Sequence, residues 1–322
     1  MNYLNYWKLQ RSPFPLGKPT VLATSVESTT TFFDQGTVQE AIARIHFLIQ
    51  SQRSLGSIIA PSGVGMSRLL QQFCHASAYA TKLPGDCRMH YVSVGGWSAD
   101  QFYRWISSAI GHRTDSCNSY QTAMDSVTGG MAMQGRLVLV VDGCDSASDD
   151  LCLALDELQN RSTRLTILLA VSSAGAQNIF SNDDSSKASF QVQSAKGRGA
   201  LAKMLRQSQL RIDLPAWGLG QTADYFSMML ELAGGRPAIF EAQAITRIHE
   251  LADGLVKPMN QIADLSLVAA AARKFVRVPS ELIDQICEEM GLISGRSDYP
   301  GHYPSNYPQS ESHRFGEPIS SK

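Results

Sequence analysis

The stretch Leu55–Ser67, LGSIIAPSGVGMS, joins a short apolar segment to a glycine-rich turn and then to a helix-forming run. The apolar residues Ser57–Ala60 predict a strand, and the residues from Ser67 onward predict a helix. A strand, a glycine-rich turn and a helix in this order form the context of a phosphate-binding loop, whose pattern is G-x-x-x-x-G-K-[ST]. The remaining segments can be placed relative to this unit.

The stretch keeps only part of that pattern. Gly65 and the terminal hydroxyl of Ser67 are present, whereas Ala60 replaces the first glycine and Met66 replaces the lysine. The backbone N–H groups that can still surround a phosphate belong to Ser62, Gly63, Val64, Gly65, Met66 and Ser67. Because the lysine charge is absent, we expect nucleotide affinity to be lower by roughly a few kcal/mol. A tight turn without a ligand is the alternative interpretation.

A second motif is Leu137–Asp145, LVLVVDGCD. Its continuous apolar run predicts a strand that is covered on both faces. An acid at the end of such a strand is placed to meet Mg²⁺ through water, so Asp142 is the candidate catalytic residue, and Ser67 and Asp142 are the candidate metal-binding residues. Gly143 directly follows Asp142, and the side chain of Asp145, two residues further along, could reach inward. The alternative is that Asp142 is a turn or helix-cap acid.

Two further residues are candidate nucleotide sensors. The apolar strand predicted over Leu165–Val171 runs into Ser172, whose hydroxyl could contact a γ-phosphate. Lys257 lies at a predicted helix start, with Pro258 as the first helical residue, so its charge could reach a bound nucleotide. A turn serine and a solvated surface lysine are the alternatives.

Strand and helix patterns alternate through the first two thirds of the chain, and four helical patterns follow. This order predicts an α/β fold of the P-loop NTPase type, with a parallel sheet and flanking helices, followed by a small all-helical lid domain. The predicted divisions are an N-terminal arm over 1–36, a nucleotide-binding domain over 37–215, the lid over 216–293 and a disordered tail over 294–322.

Several local features are also predicted. The aromatic residues of the arm are expected to pack on the first domain, and the alternative is that the arm borders an adenine pocket. The polar segment Ser172–Gly199 predicts a mobile surface excursion, with a short helix afterwards at Leu201–Gln207. Ser98 and Ser280 are expected to cap helices.

The composition excludes several classes of protein. The net charge of −1 gives no global basic field for nucleic acid. The six cysteines include no C-x-x-C pair, which argues against a zinc site. No signal-peptide core and no apolar run of about 18 residues occurs, so we expect a cytoplasmic protein without a membrane span.

The order and spacing of these motifs resemble the general secretion pathway protein A (ExeA-type) ATPases, a branch of the AAA+ superfamily that is also related to the transposition ATPases. The resemblance covers roughly residues 1–290. Ser12-Pro13-Phe14 is similar to the opening "PF" stretch of the family, Ala60–Ser67 to its Walker A loop and Leu137–Gly143 to its "LLIDE" strand.

The resemblance extends into the predicted lid. Leu230–Gly235 is similar to an "AGG" turn of the family, and Ile248–Asn260 to its "GGxPRxIN" turn. In the second turn Lys257 occupies the position of the family's sensor arginine. The family implies an ATP- and Mg²⁺-dependent oligomeric motor or switch that acts with protein partners in envelope secretion or DNA transposition.

The departures from the family favour weak catalysis. Met66 replaces the Walker A lysine, Gly143 the Walker B glutamate and Lys257 the sensor arginine. The first hypothesis is therefore a pseudo-ATPase that acts as a switch or scaffold. The second is an active ATPase with a divergent loop, in which Arg68 or Lys257 supplies the missing charge.

A third hypothesis is a DNA-associated regulator of the transposition type. It would use a basic patch formed by Arg161, Arg164, Lys196, Arg198, Lys203 and Arg206. The near-neutral charge of the whole chain makes DNA a less favoured partner than protein, and a homo-oligomer is compatible with all three hypotheses.

Overall fold

The computed structural model describes residues 2–14, 36–75, 87–110, 124–125, 128–129, 135–183 and 194–292. The predicted tail over 294–322 falls entirely outside these ranges. Most of the predicted arm beyond residue 14 is also outside the described residues.

Five strands form one parallel sheet in the order β2-β3-β4-β1-β5. The strands are β1 Leu55–Ala60, β2 Cys87–Ser93, β3 Arg136–Asp142, β4 Leu165–Ser172 and β5 Arg211–Asp213. Ala60 pairs with Ser172, and Asp142 pairs with Ala170. The carboxyl ends of β1, β3 and β4 therefore lie side by side at one edge of the sheet.

Eleven α-helices and two single-turn 3-10 helices, Cys144–Ser146 and Pro237–Ile239, are assigned within the described residues. Those that pack around the sheet are α2 Gly36–Gln50, α3 Met66–His75, α4 Ala99–Ala109, α5 Asp149–Arg161, α6 Ser173–Asp183 and α7 Ser194–Gln207. The others are α1 Tyr3–Trp7, α8 Leu219–Leu232, α9 Ala242–Leu251, α10 Val256–Ala272 and α11 Ser280–Glu289.

The three central strands β1, β3 and β4 are buried on both faces, which explains their continuous apolar sequences. Successive side chains point to opposite faces. Ile58 and Leu168 belong to a core shared with α2, α3 and the C-terminal helices, whereas Ile59 and Leu169 belong to a core shared with α4 to α7. The prediction of a parallel sheet with flanking helices is confirmed.

Helices α8 to α11 form a bundle that packs on the first of these cores, and the arm packs on this bundle. Trp7 Nε1 donates to the Leu267 carbonyl over 2.9 Å. The Phe14 ring lies 4.8 Å from the Phe226 ring. The expectation that the arm packs on the first domain is therefore wrong for residues 2–14, because the helical bundle offers an apolar surface for the rings and an acceptor for the indole N–H.

The excursion predicted after β4 contains helices instead. Helix α6 begins at Ser173, and α7 begins at Ser194 rather than at Leu201. Ala176 and Ile179 are buried one helical turn apart, and this narrow apolar stripe is enough to fix α6 against the sheet. A polar sequence with so few apolar residues does not reveal the helix until the sheet is in place.

The predicted caps have mixed outcomes. Ser98 forms a capping box with Gln101, which confirms the prediction for α4. Ser280 is the first residue of α11 and follows an N-cap at Pro279, so it is not a cap. Helix α10 begins at Val256, so Pro258 is its third residue. It still lies in the first turn, where its missing N–H removes no intrahelical bond.

Within the described residues, no helix has the length and apolarity needed to cross a membrane.

Candidate nucleotide-binding site

The loop between β1 and α3 has the backbone curvature of an anion-binding turn. Gly63 and Gly65 have φ values of +92° and +101°, which glycine adopts without steric cost. Val64 is buried and anchors the loop, whereas Ser62 and Ser67 are exposed. Alternating conformations of this kind let successive N–H groups surround an anion at a helix N-terminus.

Met66, at the position of the Walker A lysine, packs against the core next to α3. The loop is therefore completed by an apolar contact rather than by a charge. The charge of Arg68, in the first turn of α3, also acts on Tyr225 of α8. Burial raises the pKa of Tyr225, while a hydrogen bond with Asn260 and the Arg68 charge oppose that rise.

Helix α10 begins directly against this loop. The Lys257 backbone N–H donates to the Gly63 carbonyl over 2.9 Å. A methyl group placed on Gly63 would lie 3.4 Å from Lys257 Cβ. Lys257 as a whole is exposed to solvent. The N-termini of α3 and α10 thus meet at one loop, and both carry the positive end of a helix dipole.

A second contact fixes the turn that precedes α10. The Trp217 backbone N–H, in the segment after β5, donates to the Gly254 carbonyl over 3.0 Å. Trp217 is buried, and its ring lies 5.1 Å from that of Tyr225. The position of Lys257 at the loop is therefore held by packing on the helical bundle as well as by its own hydrogen bond.

Asp142 lies at the end of β3, as predicted, but it has an unforeseen partner. The Tyr91 hydroxyl on β2 donates to Asp142 Oδ2 over 2.7 Å, and Asp142 is 5% exposed. Burial, followed by the bond to Asp142 and its charge, raises the pKa of Tyr91, so the phenol remains a donor throughout the physiological range. The sequence holds no signal for this pair, because it does not show that β2 lies beside β3.

The chain turns sharply after Asp142. Gly143 has a φ of +77° and is followed by a single turn of 3-10 helix over Cys144–Ser146. Asp145, in that turn, accepts a hydrogen bond of 2.6 Å from the Ser172 hydroxyl at the end of β4. The Ser172 oxygen in turn accepts from the Gly175 N–H over 2.9 Å. The candidate sensor therefore caps α6 and directs its hydrogen toward Asp145.

A cleft of about 850 Å³ opens beside the loop at the carboxyl ends of β1 and β5. Pro61 of the loop lines it, together with Thr37 and Ala41 of α2 and Phe180 of α6. Its charged groups are paired, as in the Arg211–Asp213 bridge of 2.9 Å. The cleft is large enough for a nucleoside next to a phosphate held at the loop.

The predicted site residues fall into two groups in space. Ser62 to Ser67 and Lys257 meet at the loop. Asp142 and Ser172 lie at neighbouring strand ends, but their side chains are bonded to Tyr91 and Asp145. Tyr91 was missed entirely.

Comparison with known proteins identifies the fold. Residues 49–180 match the family model for the AAA domain. No curated protein matches the chain. The solved ORC2 protein of Aeropyrum pernix, in its ADPNP–ADP complexes, is 15% identical, with a TM-score of 0.55 over 87% of this chain and 71% of that one.

Two other solved structures have similar scores. The Aeropyrum pernix ORC1 protein in complex with DNA is 14% identical, with a TM-score of 0.54 over 81% of this chain and 69% of that one. Cdc6p from Pyrobaculum aerophilum is 13% identical, with a TM-score of 0.54 over 86% of this chain and 70% of that one. The sheet order, the loop after β1 and these similarities together show that the chain has the AAA+ P-loop NTPase fold.

Proposed function

We propose that this chain is a nucleotide-binding AAA+ protein that hydrolyses ATP poorly and acts as a switch or scaffold. One observation carries the proposal: α3 and α10 begin at the same glycine loop, joined by the Lys257–Gly63 hydrogen bond of 2.9 Å. The backbone amides of the loop and of the α3 N-terminus attract phosphate without a lysine, and the positive end of the α10 dipole lies beside them. The cleft beside Pro61 offers room for the nucleoside.

The same contact couples nucleotide binding at the loop to the position of the lid. A phosphate bound to the N–H groups of the loop would lie beside the Lys257–Gly63 hydrogen bond, which joins the sheet domain to the helical lid. Because Trp217 and Gly254 connect the lid turn to the end of the sheet domain, a small change at the loop would move the lid as a body. A protein partner that contacts the lid would then sense nucleotide occupancy.

Poor hydrolysis follows from the two charged groups that Met66 and Gly143 do not supply. Met66 supplies no cation, and Gly143 supplies no carboxylate next to Asp142. The ATP transition state needs charge stabilisation and an oriented water. We place this cytoplasmic switch, acting with protein partners or as a homo-oligomer, in a secretion-type or transposition-type assembly.

The test of nucleotide binding is a matched pair of serine substitutions. Ser62→Asp adds a negative charge to the exposed tip of the loop, whereas Ser51→Asp adds the same charge to an exposed site at the opposite edge of the sheet. Calorimetry with ATP and ADP should give affinities that fall at least about tenfold for Ser62→Asp and stay at the wild-type value for Ser51→Asp. Absence of wild-type binding, or equal effects of both variants, would refute the proposal.

One observation favours a second candidate, an active ATPase with a displaced carboxylate. Asp145 is exposed and oriented by the Ser172 hydroxyl over 2.6 Å, so it could position water in place of the absent glutamate. Brisk ATP turnover that is lost in both Asp142→Ala and Asp145→Asn would establish this candidate. Turnover at background level would support the switch.

The DNA hypothesis has weaker support in this chain. Arg161 and Lys203 of the basic patch are paired with acids at 2.6 and 2.9 Å, and Arg206 lies over the Phe180 ring. The side chains of Lys196 and Arg198 lie outside the described residues. Salt-dependent retention of the protein on DNA would support the DNA hypothesis.

A further inference from the structure

The buried Walker B carboxylate already has a strong hydrogen-bond donor. The Tyr91 hydroxyl lies 2.7 Å from Asp142 Oδ2, and Asp142 is 5% exposed. A carboxylate removed from water is costly unless donors or cations satisfy it. The phenol therefore supplies part of the stabilisation that a hydrated metal ion would otherwise provide.

Strand pairing fixes this donor in place. Tyr91 pairs with Val140 on β3, two residues before Asp142, so both side chains lie on the same face of the sheet. On that face Tyr91 packs against the core shared with α3, the helix that follows the phosphate loop. The hydroxyl is thus a built part of the site rather than a mobile surface group.

The donor set suits an anion better than it suits Mg²⁺. Magnesium takes octahedral oxygen ligands and loses its water reluctantly. The protein groups predicted for it are the exposed Ser67 hydroxyl and the Asp142 carboxylate, of which one oxygen accepts the Tyr91 hydrogen. The loop itself offers backbone amides and the N-terminus of α3, which bind phosphate without a metal.

We infer that Tyr91, rather than a hydrated magnesium ion, satisfies Asp142, and that this chain binds nucleoside di- and triphosphates without a divalent cation. The inference rests on the nucleotide binding proposed above. It makes Tyr91 a positioning residue that holds the Asp142 carboxylate and disperses part of its negative charge through the hydrogen bond. It also replaces the sequence-based assignment of Mg²⁺ to Ser67 and Asp142.

The experiment measures ADP and ATP affinity by calorimetry, in EDTA and in excess Mg²⁺, for three proteins. The wild type should bind with values that agree within roughly threefold in the two conditions. Tyr91→Phe should bind at least about tenfold more weakly in EDTA and recover in Mg²⁺, because the bare carboxylate then requires a cation. Tyr103→Phe removes another buried hydroxyl, in the core on the opposite face of the sheet, and should behave as the wild type.

The outcomes separate the two proposals. A wild type that binds ten times more tightly with Mg²⁺ overturns the role of Tyr91 but leaves nucleotide binding intact. No binding in either condition overturns both. If Tyr91→Phe and wild type respond equally to Mg²⁺, the tyrosine is not the substitute.

A second readout needs no variant. Free Mn²⁺ gives an electron paramagnetic resonance signal, and ADP lowers this signal by binding the ion. Wild-type protein added to the ADP–Mn²⁺ mixture should not lower the signal further. A loss of signal that depends on the protein would show that the site recruits the metal, which contradicts the inference.

Discussion

The two sides of the phosphate loop are held by different kinds of contact. On the lid side the contacts are made by the backbone, as in the Lys257–Gly63 and Trp217–Gly254 hydrogen bonds. On the side of β3 and β4 they are made by individual polar side chains, Tyr91 with Asp142 and Ser172 with Asp145.

This difference predicts how each side of the loop responds to substitution. Backbone geometry survives many substitutions, since it depends on glycine positions and on the packing of apolar residues. Charge handling depends on single side chains and is lost or redirected by one change. The loop has the backbone conformation of an anion-binding turn, while Met66 and Gly143 carry no charge. The predictions below test the lid side and the acid side separately.

The largest effect is expected where the arm supports the lid. Phe14 is fully buried against Phe226 and Phe240, so Phe14→Ala should lower the free energy of unfolding by about 3–5 kcal/mol. Phe47→Ala, at a 52% exposed site, should cost less than about 1 kcal/mol. Urea denaturation measures both; equal losses would mean that the arm does not hold the lid.

The next prediction restores a charge to the intact backbone. Met66→Lys should tighten ATP binding roughly 10- to 100-fold, because a charge-assisted contact contributes about 1.5–3 kcal/mol. Met66→Gln is the neutral control and should leave the affinity near the wild-type value. If the lysine gives no gain in calorimetry, the loop does not present phosphate to residue 66.

On the acid side, Gly143→Glu should not restore catalysis. The φ of +77° at this position costs a residue with a side chain about 1–2 kcal/mol. Gly143→Asn should be tolerated better in urea denaturation, since Asn adopts this conformation more easily. ATP turnover should stay at background even with Met66→Lys added. A rise in turnover would show that the turn relaxes and that the remaining geometry is catalytic.

The smallest effect concerns the candidate sensor. Ser172→Ala removes the cap of α6 and the donor to Asp145, and should cost about 1 kcal/mol of stability. Ser173→Ala, one residue later, should change stability by less than about 0.5 kcal/mol. Hydrogen exchange of α6 would show the loss locally. No change would exclude the capping role of Ser172.

Sequence alone was sufficient where one physical signal dominated. The strand ending at Asp142 was predictable because a run covered on both faces must be apolar throughout. The cap at Ser98 was predictable because its hydroxyl and Gln101 satisfy local backbone groups. Helix α6 was missed, since Ala176 and Ile179 form too narrow a stripe to stand out. The functional roles of the site residues remain predictions.

The sequence by itself determined the β1–loop–α3 unit, the acid after β3 and the order of sheet and helical segments, because periodicity and glycine placement act over a few residues. Only the tertiary structure decided which groups meet. Tyr91 reaches Asp142 because β2 pairs with β3, and Lys257 reaches Gly63 because the lid packs beside the loop. Those contacts join residues that are 51 or more positions apart, and no local pattern specifies which distant segments become neighbours.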